Sequence, residues 1–259
     1  IMAARTIRPP AVSGLFYPAS ARSLQATLAA HFARATPASL PAAPKALIVP
    51  HAGYDYSGIV AASGYNQLTP FASRIRRVVL FGPAHRVPLL GLALPQASAF
   101  RTPLGDVPVD MDAWNEALKL PQVEVSDRAH ELEHSLEVQL PFLQSILPSF
   151  TLVPFVVGWT DPVNVARVME ALWGGPETLI LVSSDLSHYH PYDEARALDQ
   201  ATIERILQGD ATITPDDACG AIAIDGLLLA ARRRQLQPHV IAYCNSGDTF
   251  GDRDRVVGY

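Results

Sequence analysis

The sequence predicts an α/β protein whose central sheet is mostly parallel and is covered by helices on both faces. Short apolar runs at residues 46–49, 77–81 and 178–182 end abruptly at Pro, Gly or Ser, as buried strands do. Segments with helical periodicity separate these runs, which is the alternation typical of α/β folds. The chain shows no internal repeat and no clear boundary, so we expect a single domain over residues 1–259.

Each predicted element follows from its own pattern. The first predicted helix, residues 18–35, places Leu24, Leu28 and Phe32 on one face. The helix predicted at 130–149 is expected to bend at Pro141, because proline cannot donate the helical hydrogen bond. Further helices are predicted at 57–67, 111–118, 163–173, 193–209 and 217–234, and further strands at 89–93, 151–157 and 239–243.

The composition narrows the class of protein. With 259 residues, of which 49% are hydrophobic, the chain is globular rather than disordered. The net charge of −5 comes with no basic stripe, so nucleic acid is not an expected partner. No apolar run approaches the ~20 residues of a membrane span, and the start of the sequence lacks a secretory signal pattern. We therefore expect no membrane association and a cytoplasmic location.

Histidines follow the ends of two predicted strands. His51 comes after the run at 46–49, and His85 comes after the run at 77–81. Ligands of open α/β sheets bind at such ends, and neutral imidazoles suit Zn, Fe or Cu. The alternative is that each histidine merely bonds a backbone carbonyl. A metal would need a third ligand, for which five residues are candidates: Glu137, Asp185, Cys244, Asp248 and Thr249.

A second candidate for chemistry is the pair of Asp185 and His188, which follows the run at 178–182. An aspartate near a histidine can fix its tautomer and raise its basicity, so the pair could move protons. The alternative role for Asp185 is to cap a helix. A metal-free hydrolase using this pair is a weaker possibility, because the sequence has no Gly-x-Ser-x-Gly motif.

Other motifs are excluded by their spacing. Residues 133–137 read EHSLE, but Val138 stands where the helix of a zinc protease needs its second histidine. No Walker or Rossmann phosphate loop occurs. Cys219 is expected to be buried and inert. Four aromatic residues could line a pocket for a planar ligand, although core packing is the commoner role: Phe16, Tyr17, Tyr54 and Tyr56.

Taken together, the motifs resemble those of the Memo family, also called AmmeMemoRadiSam system protein B in microbes. The resemblance covers nearly the whole chain. It is carried by GLFY at 14–17, PHAGY at 50–54, GPAH at 82–85, RTPLG at 101–105, EHSLE at 133–137, SSD at 183–185 with His188, Cys219-Gly220, and SGD at 246–248.

The resemblance implies a fold similar to class III extradiol ring-cleaving dioxygenases, which hold Fe(II) with two histidines and one glutamate. By this resemblance His51 and His85 bind the metal, and His188 with Asp185 acts as acid and base. His134, which shares a helical face with Glu137, is included among the candidate catalytic residues. The third ligand of animal Memo proteins is a cysteine, which aligns with Thr249 here. We therefore expect the adjacent Asp248 to bind the metal in its place, with a water molecule as the alternative, and Thr249 to line the pocket.

The expected function is non-haem Fe(II) redox chemistry on a small organic substrate, with Cu or Zn as alternative metals. The competing hypothesis is a non-catalytic module that binds a ligand or a peptide in the same pocket. The family resemblance also implies a functional link to AMMECR-type and radical-SAM proteins.

Overall fold

The computed structural model describes residues 6–259, which form eleven strands and nine α-helices. The strands are β1 (Ile7–Arg8), β2 (Ala46–Val49), β3 (Arg77–Pro83), β4 (Leu92–Leu94), β5 (Ala99–Thr102), β6 (Gly105–Pro108), β7 (Val123–Val125), β8 (Thr151–Val157), β9 (Thr178–Ser183), β10 (His188–His190) and β11 (Val256–Val257). The helices are α1 (Ala21–Arg34), α2 (Tyr54–Asn66), α3 (Met111–Leu118), α4 (Asp127–Glu131), α5 (His134–Glu137), α6 (Leu140–Ile146), α7 (Pro162–Ala171), α8 (Tyr192–Leu207) and α9 (Ala221–Arg233).

The central sheet has the strand order β2-β9-β3-β8-β4-β7. All neighbours are parallel except β8 and β4, which are antiparallel. The carboxyl ends of β2, β9, β3 and β8 therefore meet at one edge of the sheet. That edge is where open α/β sheets bind their ligands.

Helices cover both faces of this sheet, which confirms the predicted fold class. Leu24 of α1, Tyr65 of α2 and Phe142 of α6 are buried on one face. Helices α3, α7 and α9 contribute to the buried cluster on the other face. Strands β3 and β8 are buried along nearly their whole length, because a parallel sheet covered on both sides exposes neither face. Burying each large apolar side chain contributes ~1.5–3 kcal/mol to folding.

The helix predicted at 130–149 is wrong, because the chain forms three short helices there. The Ser126 hydroxyl caps α4, and the Glu133 carboxylate caps α5 by accepting a hydrogen bond from the Ser135 N–H. Pro141 lies in the first turn of α6, where a missing N–H costs nothing, so it begins a helix rather than bending one. The interruption after α4 places Glu133 and His134 at the start of α5.

Two further expectations are corrected. Residues 239–243 are not a strand, and Val240 is half exposed. An apolar β-branched pattern favours a strand only where neighbours pack against it. Asp185 does not cap a helix, because an irregular segment and then β10 follow it. Within residues 6–259, none of the helices combines the length and the apolar character needed to cross a bilayer.

The buried His130 predicts acid sensitivity of the fold. Its Nε2 lies 2.7 Å from the Ala93 carbonyl of β4, and burial lowers its pKa from 6.5 to about 4. The folded protein therefore binds a proton less readily than the unfolded chain, so stability falls as the pH drops from 6.5 towards 4. Between pH 7.5 and pH 5.0, the free energy of unfolding is expected to fall by about 2 kcal/mol less in His130→Gln than in the wild type.

Urea denaturation at the two pH values, with a chelator present, measures this difference. His239→Gln is the matched control, because His239 is exposed in an irregular segment. Equal pH dependence of the wild type and His130→Gln would contradict the prediction.

Candidate metal centre

Three imidazole rings converge at the carboxyl edge of the sheet. His51 follows β2, His85 follows β3, and His134 is the first residue of α5. The ring centroids are 5.1 Å apart for His51 and His85, 5.4 Å for His51 and His134, and 4.6 Å for His85 and His134. One nitrogen from each ring lies within 4.8 Å of the other two. This spacing lets three rings share one ion.

Strand β3 and helix α5 approach closely at Gly82, which brings His85 and His134 together. A Cβ at Gly82 would lie 2.5 Å from the Ser135 Oγ and 2.9 Å from a methyl carbon of Leu136. The hydroxyl of Ser135 also donates a hydrogen bond to the Pro83 carbonyl at 3.0 Å. Only glycine leaves room for this contact, which explains why residue 82 is a glycine.

The hydrogen bonds of Ser183 fix the tautomer of His51. The Ser183 hydroxyl donates its proton to the Ser135 carbonyl at 2.6 Å, so it can only accept from the His51 Nδ1 at 2.9 Å. The His51 Nε2 therefore carries the free lone pair. Burial, and then the nearby His85, lower the pKa of His51 to about 3, which keeps the ring neutral. A neutral imidazole with a free Nε2 is a metal ligand.

The carboxylate of Glu133 fixes the tautomer of His85. It accepts hydrogen bonds from the His85 backbone N–H and from the His85 Nδ1, the latter at 2.9 Å. Burial alone would raise the pKa of Glu133, but its hydrogen bonds with His85 and Ser135 outweigh burial and lower it to about 2. An ionised carboxylate keeps the proton on Nδ1 and leaves the His85 Nε2 free. This carboxylate–histidine arrangement orients metal ligands in many proteins.

His134 completes the group with a nitrogen that has no partner of its own. Its Nδ1 is buried and makes no hydrogen bond to any described residue, and it lies 3.7 Å from the Glu133 Oε2. The Phe16 ring packs on the imidazole at 4.6 Å. Burial, and then His51, lower the pKa of His134 to about 4. The imidazole of His134 is therefore neutral and available to an ion or ligand.

The short helix α5 is held from behind by Glu137. Four donors surround its buried carboxylate: Arg8 Nη1 at 2.6 Å, Ala11 N at 2.6 Å, Val12 N at 3.0 Å and Tyr17 Oη at 2.7 Å. Arg8 also donates to the carbonyls of His130 and Glu133. The segment before α1 is thereby tied to both ends of α5, which fixes the helix that carries His134.

A second set of potential ligands shares His51. Asp185 and Cys219 lie within 4.8 Å of it, with the Cys219 Sγ 3.3 Å and the Asp185 Oδ2 3.7 Å from the His51 Nε2. The Asp185 Oδ1 accepts the His51 backbone N–H at 2.8 Å, so this carboxylate holds the histidine loop. Burial raises the pKa of the Cys219 thiol to about 12. The thiol is thus protonated and donates towards the His51 Nε2.

Comparisons with known proteins show the family of this chain. The family model described as Memo-like protein matches residues 8–259. The chain belongs to the Memo family. A MEMO1 family protein of Sulfolobus acidocaldarius is 35% identical over 277 residues, covering 98% of this chain and 97% of that protein. A MEMO1 family protein of Aeropyrum pernix is 36% identical over 275 residues, covering 98% of each chain.

Among solved structures, the uncharacterized protein JW3007 from Escherichia coli K12 superposes on 75% of this chain and 89% of its own, with a TM-score of 0.49 and 12% identity. A similarity of this size supports no conclusion about function.

In this Memo-family chain, the predicted residues after β9 and near the end of the chain lie outside the three-histidine group. The His188 Nδ1 donates to the Leu186 carbonyl at 2.9 Å, which leaves its Nε2 free. The exposed Asp248 accepts hydrogen bonds from Tyr192 and from the Asn245 N–H. Thr249 is also exposed. The structure thus brings His134, rather than Asp248, to the two predicted metal histidines.

The four predicted pocket aromatics divide between the site and the core. Phe16 contacts His134 at the site. Tyr17 and Tyr54 are buried, with their hydroxyls bonded to Glu137 and to the Val138 carbonyl. Tyr56 is exposed and packs edge-on against Phe250 at 5.7 Å. Tyr17 and Tyr54 therefore have the core-packing role that the sequence left open as the alternative to lining a pocket.

Three functional neighbours were missed by the sequence patterns. Glu133 precedes His134 directly, so the EHS motif already contained the partner of His85. Ser183 and Cys219 belong to short motifs of the family resemblance, but nothing in the sequence pairs either of them with His51. Cys219 is 168 positions from His51, and only the tertiary fold brings the two together.

Proposed function

We propose that this Memo-family protein holds one divalent metal ion, with Fe(II) as the first candidate, between His51, His85 and His134. The bound ion would serve redox chemistry on a small organic substrate. The observation that carries this proposal is the convergence of three ring nitrogens within 4.8 Å of one another. The match of the family model over residues 8–259 supports our further proposal that the chain is a single domain.

The donor set fits such an ion. Two of the rings have their tautomers fixed by Ser183 and Glu133, and the third has an unpartnered buried nitrogen. Imidazole suits Fe, Cu and Zn, and Fe(II) oxygenases typically add a carboxylate to two histidines. Asp185, whose Oδ2 lies 3.7 Å from the His51 Nε2, places a carboxylate beside the three rings, which is compatible with Fe(II) as the first candidate. When bound, the ion would supply a Lewis acid and a site for electron transfer.

Residues beside the rings supply positioning and proton transfer. Asp185 holds the His51 loop through its backbone N–H. The His188 Nδ1 donates to the Leu186 carbonyl, so its Nε2 is free to accept a proton from a substrate. Glu133 keeps the His85 Nδ1 protonated and its Nε2 available.

Anaerobic titration of metal-free protein with Fe(II), Zn(II) and Cu(II) tests the proposal, with metal content measured after dialysis. We expect about one ion per chain and, for the Fe(II) form, a high-spin EPR signal on addition of nitric oxide, which reports open coordination positions. Metal content at background level for all three ions would contradict the proposal and favour the non-catalytic ligand- or peptide-binding module.

Glu133→Gln refines this test. The amide group of glutamine can donate to the His85 Nδ1 and so favours the tautomer whose Nε2 carries a proton. We expect a 10–100-fold loss of metal affinity, the range typical for removal of such a partner. Glu194→Gln is the matched control. Glu194 also pairs with a histidine, since its Oε1 lies 3.0 Å from the His190 Nδ1, but this pair is outside the three-histidine group.

A further inference from the structure

An apolar groove lies beside the candidate metal centre and has no part in the function proposed above. Its volume is about 510 Å³. Its walls come from the loop after β3, the end of β8 and the start of α9, and include Val87, Leu89, Val157, Trp159, Cys219 and Ile222. Trp159 and Leu90 stand at the rim and are 71% and 77% exposed.

The groove and the metal centre share a wall. Pro83 and Ala84 line the groove and directly precede His85. Cys219 lines it as well, and its Sγ lies 3.3 Å from the His51 Nε2. The groove therefore extends to the residue before His85 and to a side chain that contacts His51, so it adjoins two of the three rings.

The chemistry of the groove selects an uncharged occupant. None of the residues that line it carries a charged side chain. An ionised group placed against these walls would lose part of its water without gaining a partner, which is unfavourable. The volume falls in the roughly 300–1,000 Å³ range of small-molecule sites. The adjoining metal centre, by contrast, is polar, because it holds imidazole nitrogens and two carboxylates, Glu133 and Asp185.

We propose that the substrate of this site is amphipathic, with a polar end that reaches the three histidines and an uncharged aliphatic chain that lies in the groove. The proposal rests on the proposed metal centre for the polar end. The proposal for the aliphatic chain of the substrate rests on the groove alone, so the two parts of the proposal are tested separately.

A series of straight-chain alkyl hydroxamates, from acetohydroxamate to decanohydroxamate, tests the combined site. The hydroxamate head binds a metal ion, and the alkyl tail probes the groove. In the metal-loaded protein we expect Kd, measured by calorimetry, to fall about fourfold for each added methylene until the groove is filled. This step corresponds to ~0.8 kcal/mol per buried methylene.

Two variants assign the chain-length effect to the groove. Val87→Asp places a charge on its wall, and Trp159→Ser removes its largest apolar side chain at the rim. Both are expected to flatten the dependence on chain length and to leave acetohydroxamate binding within about twofold of the wild type. Val240→Asp is the matched control, because Val240 is 50% exposed and does not line the groove.

Metal-free protein provides an independent measurement with the uncharged fluorescent probe N-phenyl-1-naphthylamine. We expect saturable binding that Val87→Asp weakens at least tenfold and Val240→Asp leaves unchanged. A hydroxamate series with constant Kd, or probe binding insensitive to Val87→Asp, overturns the groove proposal. Failure of acetohydroxamate to bind, with probe binding intact, instead overturns the metal centre.

Discussion

The double variant His51→Ala, His85→Ala is expected to bind no metal above background, whereas the wild type binds about one ion per chain. The two rings supply the nitrogens whose tautomers are fixed by Ser183 and Glu133. Their removal leaves His134 as the only imidazole of the three-histidine group, and a single imidazole does not hold a divalent ion against dialysis. Metal analysis after anaerobic loading and dialysis measures the difference.

His190→Ala is the control for this variant. His190 lies two residues from His188, and its Nδ1 is paired with Glu194 at 3.0 Å, outside the three-histidine group. It should keep the metal content of the wild type. Circular dichroism establishes that the double variant is folded before its metal content is compared. Retention of one ion per chain by a folded double variant would place the metal elsewhere and defeat the proposed function.

His134→Ala then separates the two ligand sets that share His51. If the ion lies between the three rings, this variant loses most of its metal affinity. If the ion lies between His51, Asp185 and Cys219, His134→Ala retains it. The three-ring arrangement is favoured because the His134 Nδ1 has no other described partner.

The strand ends of this fold were predictable because their signals are local. The runs at 46–49 and 77–81 are followed by Pro50 and by Gly82-Pro83, and a histidine comes soon after each at the carboxyl edge; β2 ends at Val49, whereas β3 continues through Pro83. In a parallel sheet both histidines lie at the same edge, so a shared location could be expected from the sequence. Their close approach depends in addition on the strand order, in which only β9 lies between β2 and β3.

The third ring was harder to place, since its position depends on where a helix is broken. Apolar spacing continues through residues 130–149, and periodicity alone therefore predicts one helix. The side chain of Glu133 caps a new helix at this point and turns His134 towards the sheet edge. Ser183 and Cys219 reach His51 across 132 and 168 positions, and no local pattern reports such contacts.

Glu137→Gln is expected to destabilise the protein by about 3–5 kcal/mol, the cost of removing one partner of a buried ion pair. The Glu137 side chain is fully buried, and Arg8, its partner at 2.6 Å, is 6% exposed. Glutamine keeps the shape but removes the charge, so the guanidinium stays buried without its counter-ion. In the variant an NH2 group also replaces one of the two carboxylate oxygens. At least one of the four donors that bond to Glu137 in the wild type would then face another donor.

Urea denaturation of metal-free protein measures this loss, and Glu131→Gln is the matched control. Glu131 is exposed on α4, so its replacement should change the free energy of unfolding by less than ~0.5 kcal/mol. The double variant Arg8→Met, Glu137→Gln distinguishes an unpaired charge from a simple packing defect. It should recover part of the stability lost in Glu137→Gln, because the buried cation is gone. A double variant less stable than the single one would show that the bonds from Arg8 to the carbonyls of His130 and Glu133 matter more than its charge.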